Sequence, residues 1–164
     1  MDGLLDELDK AIDARLFYVA LILALTIPDI CSALESENGR ASRQLYEAWA
    51  NRWFLVDYDF VTSNDLYSLR CGVVHQGRFG HPNMQYQRIV FTLPDGRGNV
   101  FHQNIINDAL NLDAEQFCKD MGDSAYSWWM TYRQNPLVQN NLSRLVQRHE
   151  NGLPPYIVGV PVIS

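Results

Sequence analysis

The stretch Asn64-Asp65-Leu66-Tyr67-Ser68-Leu69-Arg70-Cys71-Gly72-Val73-Val74-His75-Gln76-Gly77-Arg78 organises the reading of the whole chain. Ser63, Asn64 and Asp65 offer side-chain oxygens that can accept from the free N–H groups of a first helical turn. Gly77 is the residue best suited to the left-handed turn that closes a helix. Between them Leu66, Leu69 and Val73 recur at helical spacing and are expected to face a core. The stretch therefore predicts one short amphipathic helix that carries an arginine and a histidine, Arg70 and His75.

Working outward, the chain predicts a mainly α fold. Leu4, Leu5, Leu8, Ile12, Leu16, Val19 and Leu23 keep helical spacing. Acids gather in the first turns of that helix, where the dipole favours negative charge. Residues 16–25 are apolar on nearly all sides, which marks a central helix. Pro28 is expected to end it or to begin a short helix running to Glu35. Residues 37–39 form a turn, and Ser42 caps a helix to about Phe54 with Leu45, Trp49 and Trp53 as its apolar stripe. Gly80 to Asn83 reads as a loop. Residues 86–93 and 99–105 flank the turn sequence Pro94-Asp95-Gly96-Arg97-Gly98 and predict a β-hairpin at about 85–106. Asp113 starts a helix of about twenty residues, Asn135-Pro136 breaks the chain, and a last helix is expected from Leu137 to His149, closed by Asn151-Gly152. The proline-interrupted apolar tail, 153–164, cannot be a central strand and is expected to pack across the bundle or contact a partner.

Length and composition fit one packed domain over residues 1–164: the chain is 47% apolar and 12% aromatic. Three widely spaced cysteines (Cys31, Cys71 and Cys118) favour reduced thiols and a cytoplasmic setting over a disulfide framework or a zinc site. The longest apolar run is about twelve residues, short of the roughly twenty that span a bilayer, and there is no cationic leader, so neither a membrane partner nor a secretory signal is expected. The net charge of −6 argues against broad, non-specific nucleic-acid binding. That charge is uneven. Residues 1–37 hold eight acids against Lys10 and Arg15, whereas residues 66–104 hold Arg70, Arg78, Arg88 and Arg97 against Asp95 alone.

The basic segment carries the chemistry. A guanidinium is always charged and presents a planar fork of donors suited to phosphate. An imidazole titrates near neutrality and moves protons. Together they supply the minimum for RNA cleavage without a metal: a base for the 2′-hydroxyl, a cation for the crowded phosphorane, and an acid for the leaving 5′-oxygen. On an ideal helix a separation of five residues sets Arg70 and His75 about 140° apart. Convergence is therefore expected to need a distortion at Gly72 or Gly77, or a second copy of the chain.

Arg70-Cys71-Gly72-Val73-Val74-His75 resembles the R-x4–6-H motif of the HEPN domain family. The resemblance implies a HEPN-like bundle of five or six helices with the hairpin inserted, and a metal-independent endoribonuclease of toxin–antitoxin or phage-defence type. It also implies a homodimer in which two Arg/His pairs share a cleft, with an antitoxin or other protein as a possible partner. By the motif, Arg70 is the phosphate anchor and His75 the catalytic acid/base. Arg78 and Arg88 are then candidate secondary RNA contacts. Cys71 stands where the family often has a polar residue such as asparagine, and the resemblance does not extend to the hairpin or tail. No cofactor or metal is implied.

Other readings compete. Arg70 pairs with an acid such as Asp65 or Glu35 and His75 caps its own helix in a purely structural version, with Asp29 and Glu35 as alternative orienting groups across the bundle. Cys71 and His75, four apart on one helix face, make a thiolate–imidazolium pair geometrically feasible, but nothing marks an oxyanion hole. His75, His81 and His102 lack the spacing of a metal site. Tyr86, Phe91 and Phe101 suit base stacking, and suit core covering better. The alternative of a different class is a non-catalytic helical binding module that uses its acidic face and apolar tail.

Overall fold

A computed structural model describes residues 1–79, 84–86 and 88–164, and the fold is mainly α. The helices are α1 (Asp2–Asp13), α2 (Phe17–Glu35), α3 (Arg43–Trp49), α4 (Ser63–Gln76), α5 (Ala114–Tyr132) and α6 (Pro136–Leu142). The expected loop at Gly80 to Asn83, with His81, lies outside the described residues.

Helix α2 is the centre of the bundle and packs against α1, α3, α4, α5 and α6. Its surroundings account for its composition: Ala20, Ala24, Leu25, Ile27 and Cys31 are fully buried. At 19 residues it is long and apolar enough to cross a membrane by length and composition. Here it serves as the core helix, with Leu8, Tyr46, Leu66, Phe117 and Trp128 among the other fully buried side chains.

Two features of the first 35 residues differ from the periodicity. The chain breaks at Arg15, which takes a left-handed φ of 57°, so one expected helix becomes α1 and α2. The Arg15 guanidinium donates to the Pro94 carbonyl at 2.7 Å, which ties this break to the distant loop. Pro28 neither ends nor begins a helix; it lies buried inside α2. A helical proline lacks the N–H that the carbonyl four residues back would accept. The Tyr46 hydroxyl, donating at 3.1 Å to the Leu25 carbonyl, supplies an external donor in that same turn. Helix α2 thus continues past the proline and delivers Asp29 to the face of α4.

Ser42 caps α3 as expected, accepting from the Leu45 N–H at 3.3 Å. The helix then widens into a π turn over Ala50–Phe54 and a 3-10 turn over Leu55–Asp57. Tyr46, Trp49, Ala50 and Phe54 are its buried residues, while Leu45 is exposed.

The strands β1 (Arg88–Thr92), β2 (Asn104–Ile106) and β3 (Ala109–Asp113) form a sheet of order β1-β3-β2. The expected hairpin across residues 94–98 is replaced by a different pairing. β1 runs parallel to β3, with Arg88 opposite Ala109, and the hairpin joins β2 to β3. Its two-residue turn is Asn107-Asp108, both at positive φ (50° and 61°), the conformation that matches strand twist in a tight hairpin. Residues 94–98 do turn, with the Arg97 N–H donating to Asp95 at 2.8 Å, but they belong to the crossover between parallel strands.

Asp113 caps α5 by accepting from the Gln116 N–H, and Asn135 with Pro136 starts α6, as the sequence indicates. Helix α6 stops at Leu142 instead of continuing to His149. The tail pairs with itself: β4 (Arg148–His149) with β7 (Val162–Ile163), and β5 (Gly152–Leu153) with β6 (Ile157–Val158), both antiparallel. It leaves Val146, Tyr156, Val158 and Ile163 largely exposed.

Candidate functional site

Helix α4 is fixed at both ends. Its cap is Thr62, one residue earlier than the sequence suggests. The Thr62 side chain accepts from the Asp65 N–H at 3.1 Å, and the Asp65 carboxylate accepts from the Thr62 N–H and hydroxyl at 3.2 and 2.6 Å. This reciprocal box satisfies two otherwise orphaned donors. The other Asp65 oxygen accepts from the Gln85 N–H at 2.7 Å, so one fully buried carboxylate joins the α4 start to residues 84–86. At the far end Gly77, at φ 63°, closes the helix, with the Gly77 and Arg78 N–H groups donating to the Val73 and Gly72 carbonyls. Leu66, Leu69 and Val73 face the core as expected.

Residues 63, 64, 67, 70, 71 and 74–76 are the part of α4 that is not buried. On it Arg70 Nη1 lies 3.0 Å from His75 Nε2. The expected convergence problem is absent: α4 runs unbroken through Gly72, and one chain brings the pair together. Helical side chains lean toward the N-terminus, which carries the His75 ring back over the preceding turn. The long arginine covers the remaining gap.

Asp29 holds the other side of the guanidinium. Its carboxylate accepts from Arg70 Nε at 2.5 Å, with the side chains 14% and 19% exposed. The partner is thus neither Asp65, which is spent on the helix cap, nor Glu35, which accepts from the Trp128 indole. Asp29 was among the acids able to reach across the bundle, and it does so because α2 continues past Pro28. Arg70 also lies over the Tyr67 ring, 6.0 Å from its centroid, and Nη1 is 3.9 Å from Cys71 Sγ. Its Nη2 makes no hydrogen bond with a described residue.

The electrostatics follow from this burial. Desolvation lifts the Asp29 carboxyl above its ordinary range, against the opposing pull of Arg70. Burial works against the Arg70 charge, yet Asp29 and Cys71 together more than offset it and the guanidinium is raised further. A guanidinium can only donate. His75 Nε2 must therefore accept from Nη1, which places the proton of the neutral ring on Nδ1. The doubly protonated ring has no acceptor left and cannot keep this contact.

The remaining candidates fall elsewhere. Arg78 and Arg88 are exposed, and their guanidiniums make no hydrogen bond or ion pair with a described residue. Cys71 associates with Arg70 and Tyr67 in place of His75. His102 belongs to a separate polar groove of about 540 Å³, where its Nδ1 accepts from the Asp113 N–H and its Nε2 is 3.9 Å from Asp120. Among the described residues no group of three or more histidine, cysteine or acidic side chains is placed to hold a metal. Tyr86 is buried and Phe91 packs against the core, whereas Phe101 is 43% exposed.

Arg43 and Tyr67 were not legible as site residues. Arg43 Cζ lies 5.3 Å from the Tyr67 centroid, and its Nη2 donates to Asn64 at 2.6 Å. The spacing of Asn64, Tyr67 and Arg70 on one helical stripe is the only sequence signal that points to this neighbourhood. No family model matches the chain, and no curated protein or solved structure does.

Proposed function

We propose that the chain is a HEPN-like, metal-independent endoribonuclease that cleaves RNA by 2′-hydroxyl attack and works as a homodimer. The observation that carries this reading is the 3.0 Å contact between Arg70 and His75, with Arg70 braced by Asp29 on its inner side. The brace leaves the outer nitrogens of the fork for an anionic ligand. A phosphate drawing on Nη1 and Nη2 would release His75 Nε2 as the base. That nitrogen takes the 2′-hydroxyl proton, the oxygen bonds to phosphorus, and the bond to the 5′-oxygen breaks. The proton then passes to the leaving oxygen, giving a 2′,3′-cyclic phosphate and a 5′-hydroxyl. Arg70 stabilises the added negative charge of the phosphorane. In this reading Arg78, beside the helix end, and Arg88 contribute only general attraction to RNA.

A single-stranded RNA and its all-deoxy analogue, incubated with the protein in EDTA, test this chemistry. The RNA is expected to be cut and the analogue to survive, since the latter lacks the attacking oxygen. Cleavage of both, or of neither, would count against it. The exposed tail residues Tyr156, Val158 and Ile163 favour a second reading, a helical module that holds an antitoxin-like or other protein partner without catalysis. A defined complex combined with no cleavage of RNA supports that alternative.

A further inference from the structure

Resting on the ribonuclease reading, we infer that Arg43 is a second phosphate anchor, so that the substrate is a single strand with at least two phosphodiesters lying along α4. Arg43 and Arg70 come from different helices, yet both guanidiniums sit over the ring of Tyr67, at 5.3 and 6.0 Å from its centroid. Each is held in the same manner. A carboxylate takes Nε, Glu47 at 2.7 Å for Arg43 and Asp29 at 2.5 Å for Arg70. Each keeps one outer nitrogen without a described hydrogen-bond partner: Nη1 in Arg43, whose Nη2 is used by Asn64, and Nη2 in Arg70. Aromatic faces attract and orient guanidiniums, so Tyr67 is the positioning residue that spaces the two cations.

The direction of the strand follows from the helix. Asn64 and His75 are eleven residues apart, about 16 Å along the axis. His75 stands at the C-terminal end, Arg70 and Tyr67 in the middle, and Arg43 with Asn64 at the N-terminal end. The scissile phosphate at Arg70 and His75 therefore has its neighbour toward the α4 start. The Arg43–Glu47 pair is on the surface, with the arginine side chain 51% exposed, and such pairs are weak enough to yield to a phosphate. The track draws on Arg43 and does not require Arg78 or Arg88, the basic residues that the sequence offers for the same task.

The test uses the full-length His75→Ala protein, so that binding is read without turnover, and a fluorescent oligouridylate as probe. Arg43→Gln is expected to weaken binding about threefold or more and to flatten the log affinity–log salt slope by about 0.7, the share of one phosphate on a single strand. Tyr67→Leu is expected to weaken binding as well, while Tyr67→Phe retains it because the ring face is kept. Melting temperatures of the variants separate these effects from misfolding. In the catalytic protein, Arg43→Gln should raise KM for a trinucleotide more than for a dinucleotide, which has a single phosphate. Binding and salt slope unchanged in Arg43→Gln would overturn the inference even if wild type cleaves RNA. RNA binding that depends on Arg43 and Tyr67 without any cleavage would uphold the track and remove the catalytic reading. No binding at all removes the track.

Discussion

Asp29 and Arg70, 41 residues apart in sequence, meet through a 2.5 Å ion pair in which Arg70 gives Nε to the carboxylate and keeps Nη1 3.0 Å from His75 Nε2. The ribonuclease reading depends on that orientation. Asp29→Asn keeps the shape of the acceptor and loses its charge, so the guanidinium is held less firmly. Cleavage is expected to fall by roughly tenfold to a hundredfold, the scale of a small misplacement at a reacting centre, while RNA binding changes little. Equal activity in wild type and Asp29→Asn would show that the brace is irrelevant.

The same carboxyl gives a pH signature. Its folded value lies above the ordinary one of about 3.9 because burial outweighs Arg70. The native state then holds the Asp29 proton more tightly than the unfolded chain does. Stability contributed by that proton is present below the unfolded value and is lost as pH rises through the raised folded value. Chemical denaturation of wild type and Asp29→Asn at a series of pH values should show the wild type losing ground across this window and running parallel above it. Activity should rise across the same window as Asp29 ionises. A constant stability difference would contradict the shift.

Asp65 is a structural acid. It is fully buried and accepts from Thr62 twice and from Gln85 once. Asp65→Ala strands these donors and is expected to cost about 2–3 kcal/mol. Thr62→Ala removes the cap and the hydroxyl that donates to Asp65 but keeps the carboxylate, and should cost less, about 1 kcal/mol. Urea unfolding midpoints with unchanged slopes would measure both.

The thiols should react unequally. Cys31 is buried and raised well above its usual range by desolvation, and burial pushes Cys118 up to about 12. Cys71 is only partly buried. Thiolate is the reactive form, so a native-state titration with an aromatic disulfide reagent is expected to modify Cys71 quickly and the other two only on unfolding. Alkylation of Cys71, whose sulfur is 3.9 Å from Arg70 Nη1, should also impair cleavage.

Much of the fold was legible because local rules agree with the packing. The α4 core stripe, Gly77, the Ser42 and Asp113 caps and the Asn135-Pro136 start all obey propensity and capping chemistry. The misreadings share a physical cause: long-range contacts decide them. Nothing local marks Arg15 as a break, since its conformation is tied to the Pro94 carbonyl. Pro28 is a breaker by every local rule, yet it sits within α2, where Tyr46 donates to the same turn from another helix. In the sheet, the Pro94–Gly98 turn sequence outshines Asn107-Asp108, but pairing is set by which strand reaches β3. The site followed the same pattern. Arg70 and His75 were readable as a motif, whereas Asp29 became their brace only through the uninterrupted α2, and Arg43 only through a ring shared across two helices.

Single-turnover cleavage of a defined single-stranded RNA in EDTA, comparing wild type with folded His75→Ala at equal purity, bears most directly on the role of the Arg70–His75 pair. Wild type is expected to yield fragments ending in 2′,3′-cyclic phosphate, identified by mass, and His75→Ala to yield none above the uncatalysed rate. The same fragments at the same rate from both proteins would contradict the assignment of His75 as the group that moves the proton.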